Sequence, residues 1–180
     1  IGLGGLGSVA SLYLANAGVG HLVINDFDRV DATNLPRQIL FRESDVGEYK
    51  THATAERLRA ANPAPHVNVL NRRLDADELR DAVSACGLAL DCTDNFSTRV
   101  ELNAACVRAG KPLVTGAAIR FEGQVAVFPN DDPAGPCYRC LYSDEDENFA
   151  NCAGQGVLAP VAGTIGALMA TEALKQMLGP

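Results

Sequence analysis

Three spaced glycines lie near the start of the chain, where Gly2, Gly4 and Gly7 of IGLGGLG fit the pattern GxGxxG. A tight glycine turn ahead of a helix offers a phosphate both backbone N–H groups and the positive end of the helix dipole. Asp26 follows Gly7 by roughly 20 residues, the interval at which a carboxylate accepts hydrogen bonds from ribose hydroxyls. Together they point to a phosphorylated adenosine. They do not separate ATP from NAD, because the glycine pattern occurs in several nucleotide-binding classes.

The next stretch, NDFDRVDATNLPRQILF, places Asn34, Arg37 and Gln38 close behind that carboxylate, with Lys50 a little further on. A dinucleotide brings one pyrophosphate bridge, whereas a nucleoside triphosphate brings several negative charges that cations must hold in one geometry. Two cations and two amides therefore suit a triphosphate. Each residue alone also has a plainer use: Arg37 as a surface ion-pair partner, Lys50 as a solvated helix residue, Asn34 as a turn former. Asp94 in DCTDNFSTR closes a predicted strand, where open parallel sheets place ligand chemistry. It fits an N-cap of the following helix, and equally a Mg²⁺ ligand if phosphate oxygens share the ion. On local grounds both readings stand.

A further pair, Cys137 and Cys140 in CYRC, brings two thiolates within reach of one Zn²⁺, which takes four ligands in a closed structural site. This is half of such a site. A redox role for the pair normally uses a helix N-terminus to lower a thiol pKa, and Pro136 with its expected loop context argues against one.

Short apolar runs alternating with amphipathic segments predict strands and helices around a mostly parallel sheet. SVASLYLANAG reads as a helix stopped at Gly18 or Gly20, HLVIND as a buried strand ending on Asp26, and Phe27 to about Pro36 as a loop. A helix is expected near VGEYKTHATAERLRAAN, closed by Pro63, then a strand over HVNVLNRRL and a capped helix over DADELRDAVSACG. LALDCT reads as a strand, STRVELNAACVRAG as a helix, KPLVTGAA as a strand and EGQVAVFP as a further strand paired antiparallel. From Pro129 to Ala159 the pattern fails, predicting a long irregular segment of the kind that usually carries function. The last helix, from about Pro160, is apolar nearly all round and is expected to be buried in the core or against another subunit.

The 180 residues, 47% hydrophobic and 21% charged, fit one globular domain. A net charge of -7 argues against nucleic acid as the main partner. Six cysteines, several within apolar runs, favour a reducing compartment. The most apolar stretch, APVAGTIGALMATEALKQML, is interrupted by glycines, Glu172 and Lys175, so no membrane span and a cytoplasmic location are expected. Ile1 reads as the end of a strand whose upstream part is missing, so the domain is expected to be truncated at both ends.

GLGGLG, the DxD of Asp26 and Asp28, NLPRQ from Asn34 to Gln38, Lys50, CTDN at Cys92 to Asn95, GAAIRFEGQ at Gly116 to Gln124, and CYRC together resemble the ThiF/MoeB/HesA family. That family adenylates ubiquitin-like sulfur-carrier proteins. The resemblance implies a Rossmann-like, doubly wound α/β fold with a mostly parallel sheet, an added antiparallel portion and a long crossover loop. It implies a homodimer that binds Mg·ATP and the Gly-Gly tail of a small β-grasp carrier, in molybdopterin, thiamine or related biosynthesis. By matching motif, Gly5 and its neighbours approach the phosphates and Asp26 and Asp28 lie at the ribose. Asn34, Arg37, Gln38 and Lys50 contact phosphates, and Asp94 with Asn95 lies where Mg²⁺ is positioned. The family's second CxxC lies beyond Pro180, so zinc is implied but the site is incomplete here. Cys152, in the expected crossover loop, is a candidate for covalent attachment of the carrier, although the run DEDEN beside it should raise its thiol pKa.

Overall fold

The computed structural model describes residues 1–132, 134–142 and 156–179. Two parallel strands, β1 (His21–Asn25) and β2 (His66–Leu70), pair from His21 against His66 to Asn25 against Leu70. A second sheet joins β3 (Ala89–Asp91) in parallel to β4 (Leu113–Ile119), which pairs antiparallel with β5 (Glu122–Phe128). Residues 1–3 lie between the two sheets. Gly2 N–H donates to Asn25 O at 2.9 Å on one side. On the other, Ile1 N–H donates to Leu90 O at 2.8 Å and Cys92 N–H to Ile1 O at 2.9 Å. The spatial order is thus β2, β1, residues 1–3, β3, β4, β5, with the change of direction at the segment that leads into the glycine turn. The expected α/β, doubly wound architecture with an antiparallel addition is what the chain adopts.

Six helices complete the described residues: α1 (Gly7–Asn16), α2 (Lys50–Ala61), α3 (Ala76–Ser84), α4 (Phe96–Ala109), α5 (Tyr138–Leu141) and α6 (Ala159–Leu178). Successive side chains of a strand point to opposite faces, and β4 shows what covers each. Leu113 packs with Leu79 and Val83 of α3 and Leu102 and Cys106 of α4. Val114 packs with Ala10 and Leu14 of α1 and Met169 and Ala173 of α6. A third cluster seats Ala55 and Leu58 of α2 against Ala15, Ile24 and Val67.

Local chemistry sets the helix ends. Asp75 accepts from the N–H groups of Asp77 and Glu78, and Glu78 reaches back to Asp75 N–H, a reciprocal box that starts α3. Asn95 caps α4, and Gly110 ends it at φ +58°.

Four expectations are corrected. The helix expected from Val46 begins at Lys50, because a 3₁₀ turn over Glu43–Asp45 and Gly47 at φ +93° precede it. The strand expected to reach Leu74 ends at Leu70. Among the described residues of the segment expected to be irregular from Pro129 to Ala159 lies a helical turn, α5, directly after Cys137. Finally, α6 is not buried all round. Ala162, Ile165, Met169 and Ala173 face the core, while Leu168 and Leu178 are exposed. Its small residues let it lie close to the strands, where Gly116 leaves room for the Met169 sulfur and Gly123 for Ile165. No helix among the described residues is long and apolar enough to cross a membrane.

Candidate functional site

The glycine turn, the carboxyl ends of β1 and β3 and the segment before α2 enclose a cavity of about 530 Å³. This is the crevice that open α/β sheets leave where strand order reverses. Gly2 sits at φ +83°, and a Cβ there would lie 2.7 Å from Cys92 O, so only glycine passes this point beside the turn that follows β3. At Gly5 the space for a side chain is taken by Ala162 Cβ at 3.0 Å and Arg37 O at 3.1 Å, so this glycine seats protein against the loop. The open position is Gly4, which faces only Gln38 Nε2 at 3.7 Å.

Asp26 follows β1 and uses both carboxylate oxygens to order the wall. Oδ2 accepts from Leu3 N–H and Oδ1 from Asp28 N–H, each at 2.8 Å. The first bond ties the acidic residue to the glycine turn itself. Asp28 in turn meets Lys50, the first residue of α2, with Nζ 2.8 Å from Oδ2. Lys50 N–H also donates to Asp28 O at 3.0 Å. Just before it, Tyr49 is held by the Arg29 guanidinium, 4.0 Å from the ring centroid. A nearly buried ammonium is thus delivered to the cavity by a helix start pinned on two sides.

Arg37 and Gln38 reach the cavity from a turn opened by Asp31, whose side chain accepts from Thr33 N–H at 2.8 Å and Thr33 Oγ1 at 2.6 Å. The hydroxyl and then the amide of Thr33 hold that carboxyl below its ordinary pKa. Arg37 Nη1 donates to Thr33 O at 3.3 Å. Gln38 is buried and donates Nε2 to Asn34 Oδ1 at 2.8 Å. Its Oε1 is buried without a hydrogen-bond partner, a cost of about 1–3 kcal/mol that a bound donor would offset.

After β3, the turn of residues 92–95 decides which residue caps α4. Asn95, not Asp94, is the cap, its Oδ1 accepting Thr98 N–H at 2.9 Å. The Asp94 side chain is exposed, lines the cavity and hydrogen-bonds to none of the described residues. Among those residues no group of three or more histidine, cysteine or acidic side chains could hold a metal alone. A single exposed carboxylate suits Mg²⁺ only where ligand phosphates share the ion.

Gly2, Gly4, Gly5, Asp26, Asp28, Asn34, Arg37, Gln38, Lys50, Asp94 and Asn95 all line this one cavity. Gly7 begins α1 behind it. Cys152 lies outside the described residues. Arg73 was missed by sequence reasoning and also lines the cavity. Its signal was a basic pair, Arg72 and Arg73, just past a strand.

Cys137, just before α5, and Cys140, on it, lie elsewhere, with their sulfurs 3.8 Å apart. That is about the separation two thiolates keep on one tetrahedral Zn²⁺ at ~2.3 Å from each sulfur, so the pair fits half a zinc site. Partial burial opposes ionisation of Cys137. The Asn103 amide and the N–H groups of Arg139 and Cys140 outweigh it and hold the thiol below its usual pKa. Burial instead pushes Cys92 up to about 11 and Cys106 up to about 12.

The sequence matches the ThiF family over residues 1–180. It is 48% identical to the sulfur carrier protein ThiS adenylyltransferase of Escherichia coli strain K12, over 99% of this chain and 71% of that protein. It is also 48% identical to the molybdopterin-synthase adenylyltransferase of the same strain, over 99% of this chain and 72% of that protein. A crystal structure of E. coli MccB with ATP superposes with a TM-score of 0.82 at 28% identity. It covers 98% of this chain, which spans 54% of that MccB chain.

Proposed function

This chain belongs to the ThiF family, and on that premise we propose that it adenylates the C-terminal glycine of a ubiquitin-like sulfur-carrier protein in molybdopterin, thiamine or related biosynthesis. Residues 1–180 serve as one adenylation domain, acting in the cytoplasm and as a homodimer. ATP is the nucleotide, and the products are a carrier acyl-adenylate and pyrophosphate. The observation that carries the reading is that Lys50, Arg37 and Asp94 line the same cavity as Gly4, whose own side-chain position is open. A pyridine dinucleotide, with one pyrophosphate bridge, would give only part of this collection of charges a task.

The chemistry sets an anion against a polyanion: the tail carboxylate attacks the α-phosphorus while pyrophosphate leaves from the opposite side. Fixed positive groups must screen the two and align them. Backbone N–H groups of the glycine turn and the α1 N-terminus receive phosphate oxygens. Asp26, already anchored to Leu3 and Asp28, receives the ribose. Lys50 and Arg37 neutralise the charge that accumulates on the leaving group, and the Gln38 and Asn34 amides complete the phosphate wall. Asp94 would hold Mg²⁺, which would supply further neutralisation of the phosphates. Cys137 and Cys140 would supply two of four ligands to a structural Zn²⁺. Cys152 is a candidate for covalent attachment of the activated carrier.

The test is carrier-dependent exchange of labelled pyrophosphate into ATP by the full-length protein. Exchange should require a carrier ending in Gly-Gly, and Arg37→Ala should reduce it by about 10²–10³-fold with the fold intact. Absence of exchange with every such carrier would overturn the proposal.

A further inference from the structure

Thr93, the residue that precedes Asp94, is held at three atoms. Its N–H and its Oγ1 both donate to Asp91 Oδ1, at 3.0 and 2.7 Å. Its carbonyl accepts from Arg99 Nη2. Each holder is fixed in turn to β4, the neighbouring strand. Thr115 Oγ1 donates to Asp91 Oδ2 at 3.0 Å, and Arg99 Nη2 also donates to Gly116 O at 3.1 Å. Asp91 is 0% exposed and Arg99 6%. Burying either charge is costly unless it is fully engaged, and an apolar pair would have filled the same volume without that cost.

The Thr93 carbonyl and the Asp94 N–H share one planar peptide unit. Fixing that carbonyl therefore fixes the plane from which the Asp94 side chain departs, while Asn95, capping α4, fixes the other end of the turn. We propose that Asp91 and Arg99 are positioning residues which lock the Thr93 peptide to β4 and so aim the Asp94 carboxylate at a divalent cation carried by nucleotide phosphates. The inference rests on the role given to Asp94 above.

Calorimetric titration of the full-length protein with ATP, once with excess Mg²⁺ and once in EDTA, tests it. The readout is the ratio of the two dissociation constants, the gain that Mg²⁺ confers. Asp94→Ala should abolish the gain. Arg99→Lys removes the guanidinium whose Nη2 donates to both carbonyls and puts in its place an ammonium on a shorter stem. It should cut the gain by about 10-fold or more, the usual loss when a residue supporting a metal ligand is removed. Affinity in EDTA should stay within about 2-fold, and no further loss should appear when Arg99→Lys is added to Asp94→Ala. Thr115→Val loosens Asp91 with little change of shape and should cut the gain by a smaller factor, which keeps the test decisive if Arg99→Lys does not fold.

Equal weakening with and without Mg²⁺, or further loss in the Asp94→Ala background, would overturn the proposal. So would an intact gain in both supporting variants while Asp94→Ala loses it, and in that case the role of Asp94 survives. A wild-type protein that binds ATP with no gain from Mg²⁺ would remove that role, and the positioning claim with it.

Discussion

Lys50 Nζ lies 2.8 Å from Asp28 Oδ2, with the lysine side chain 7% exposed and the aspartate 55%. Both residues line the cavity, so the carboxylate holds the cation where the proposed nucleotide would meet it. Solvent screening on the Asp28 side limits the worth of the pair to about 1 kcal/mol. Asp28→Ala should therefore lower stability only slightly, and it should weaken ATP binding by releasing Lys50. Lys50→Met should then cost less in the Asp28→Ala background than in wild type, a non-additivity of about 0.5 kcal/mol or more. Strictly additive losses in calorimetric titrations would show that Asp28 acts on the nucleotide without Lys50.

Gly4 and Gly5 are adjacent but do different things. Gly5→Ala forces its new methyl against Ala162 and the Arg37 carbonyl, and should cost about 1–3 kcal/mol of stability in urea unfolding. Gly4→Ala meets only the end of Gln38. It should change stability by less than about 0.5 kcal/mol yet reduce ATP affinity by filling the face a phosphate approaches. Equal stability losses would contradict this division.

Asn95 and Asp94 divide the work of one turn in the same way. Asn95→Ala removes the cap of α4 and should cost about 1 kcal/mol, a fall in Tm of roughly 2–4 °C for a domain of this size. Asp94→Ala should leave Tm almost unchanged and remove pyrophosphate exchange. A fall in Tm for Asp94→Ala as large as for Asn95→Ala would mean that the carboxylate has a structural task.

The thiols should titrate in distinct ranges. Because the Cys137 pKa is lowered, its alkylation in metal-free protein should level off at lower pH than that of an ordinary cysteine. Added Zn²⁺ should protect Cys137 and Cys140 together. Cys92, with its pKa pushed up to about 11, is thiolate in roughly one molecule per thousand at pH 8 and should resist reagent until the protein unfolds. Peptide mapping by mass spectrometry after timed alkylation reads all three. Rapid labelling of native Cys92 would refute the assignment.

The cavity was legible where the chemistry is local: a glycine pattern, then an acidic residue at the expected interval, singles out Gly2 and Asp26, both of which line it, without any tertiary information. Asp94 was not, because Asp94 and Asn95 are equally good caps on paper and only backbone geometry chooses between them. The ion pair of Asp28 with Lys50 crosses from a loop to a later helix start, and no local pattern encodes that approach. Arg99 is instructive in another way. It was not singled out in the sequence, yet it occupies the stripe Phe96, Arg99, Leu102, Cys106 that α4 turns toward the core, a spacing that places a buried charge in need of partners. For α6 composition says less: it counts apolar residues but does not say which side of the helix meets the sheet.

Residues 1–3 join two sheets that otherwise share no strand, and Gly2 and Leu3 belong both to that join and to the nucleotide turn. A ligand gripping the turn therefore acts as a clasp on the whole molecule. At a concentration 100-fold above its dissociation constant it adds about 2.7 kcal/mol to global stability. Part of that gain should be visible far from the cavity, as slower amide exchange in β2 and β4 alike. Occupancy of the site thus adds to a cohesion that the packing of α1 and α6 on the strands already provides.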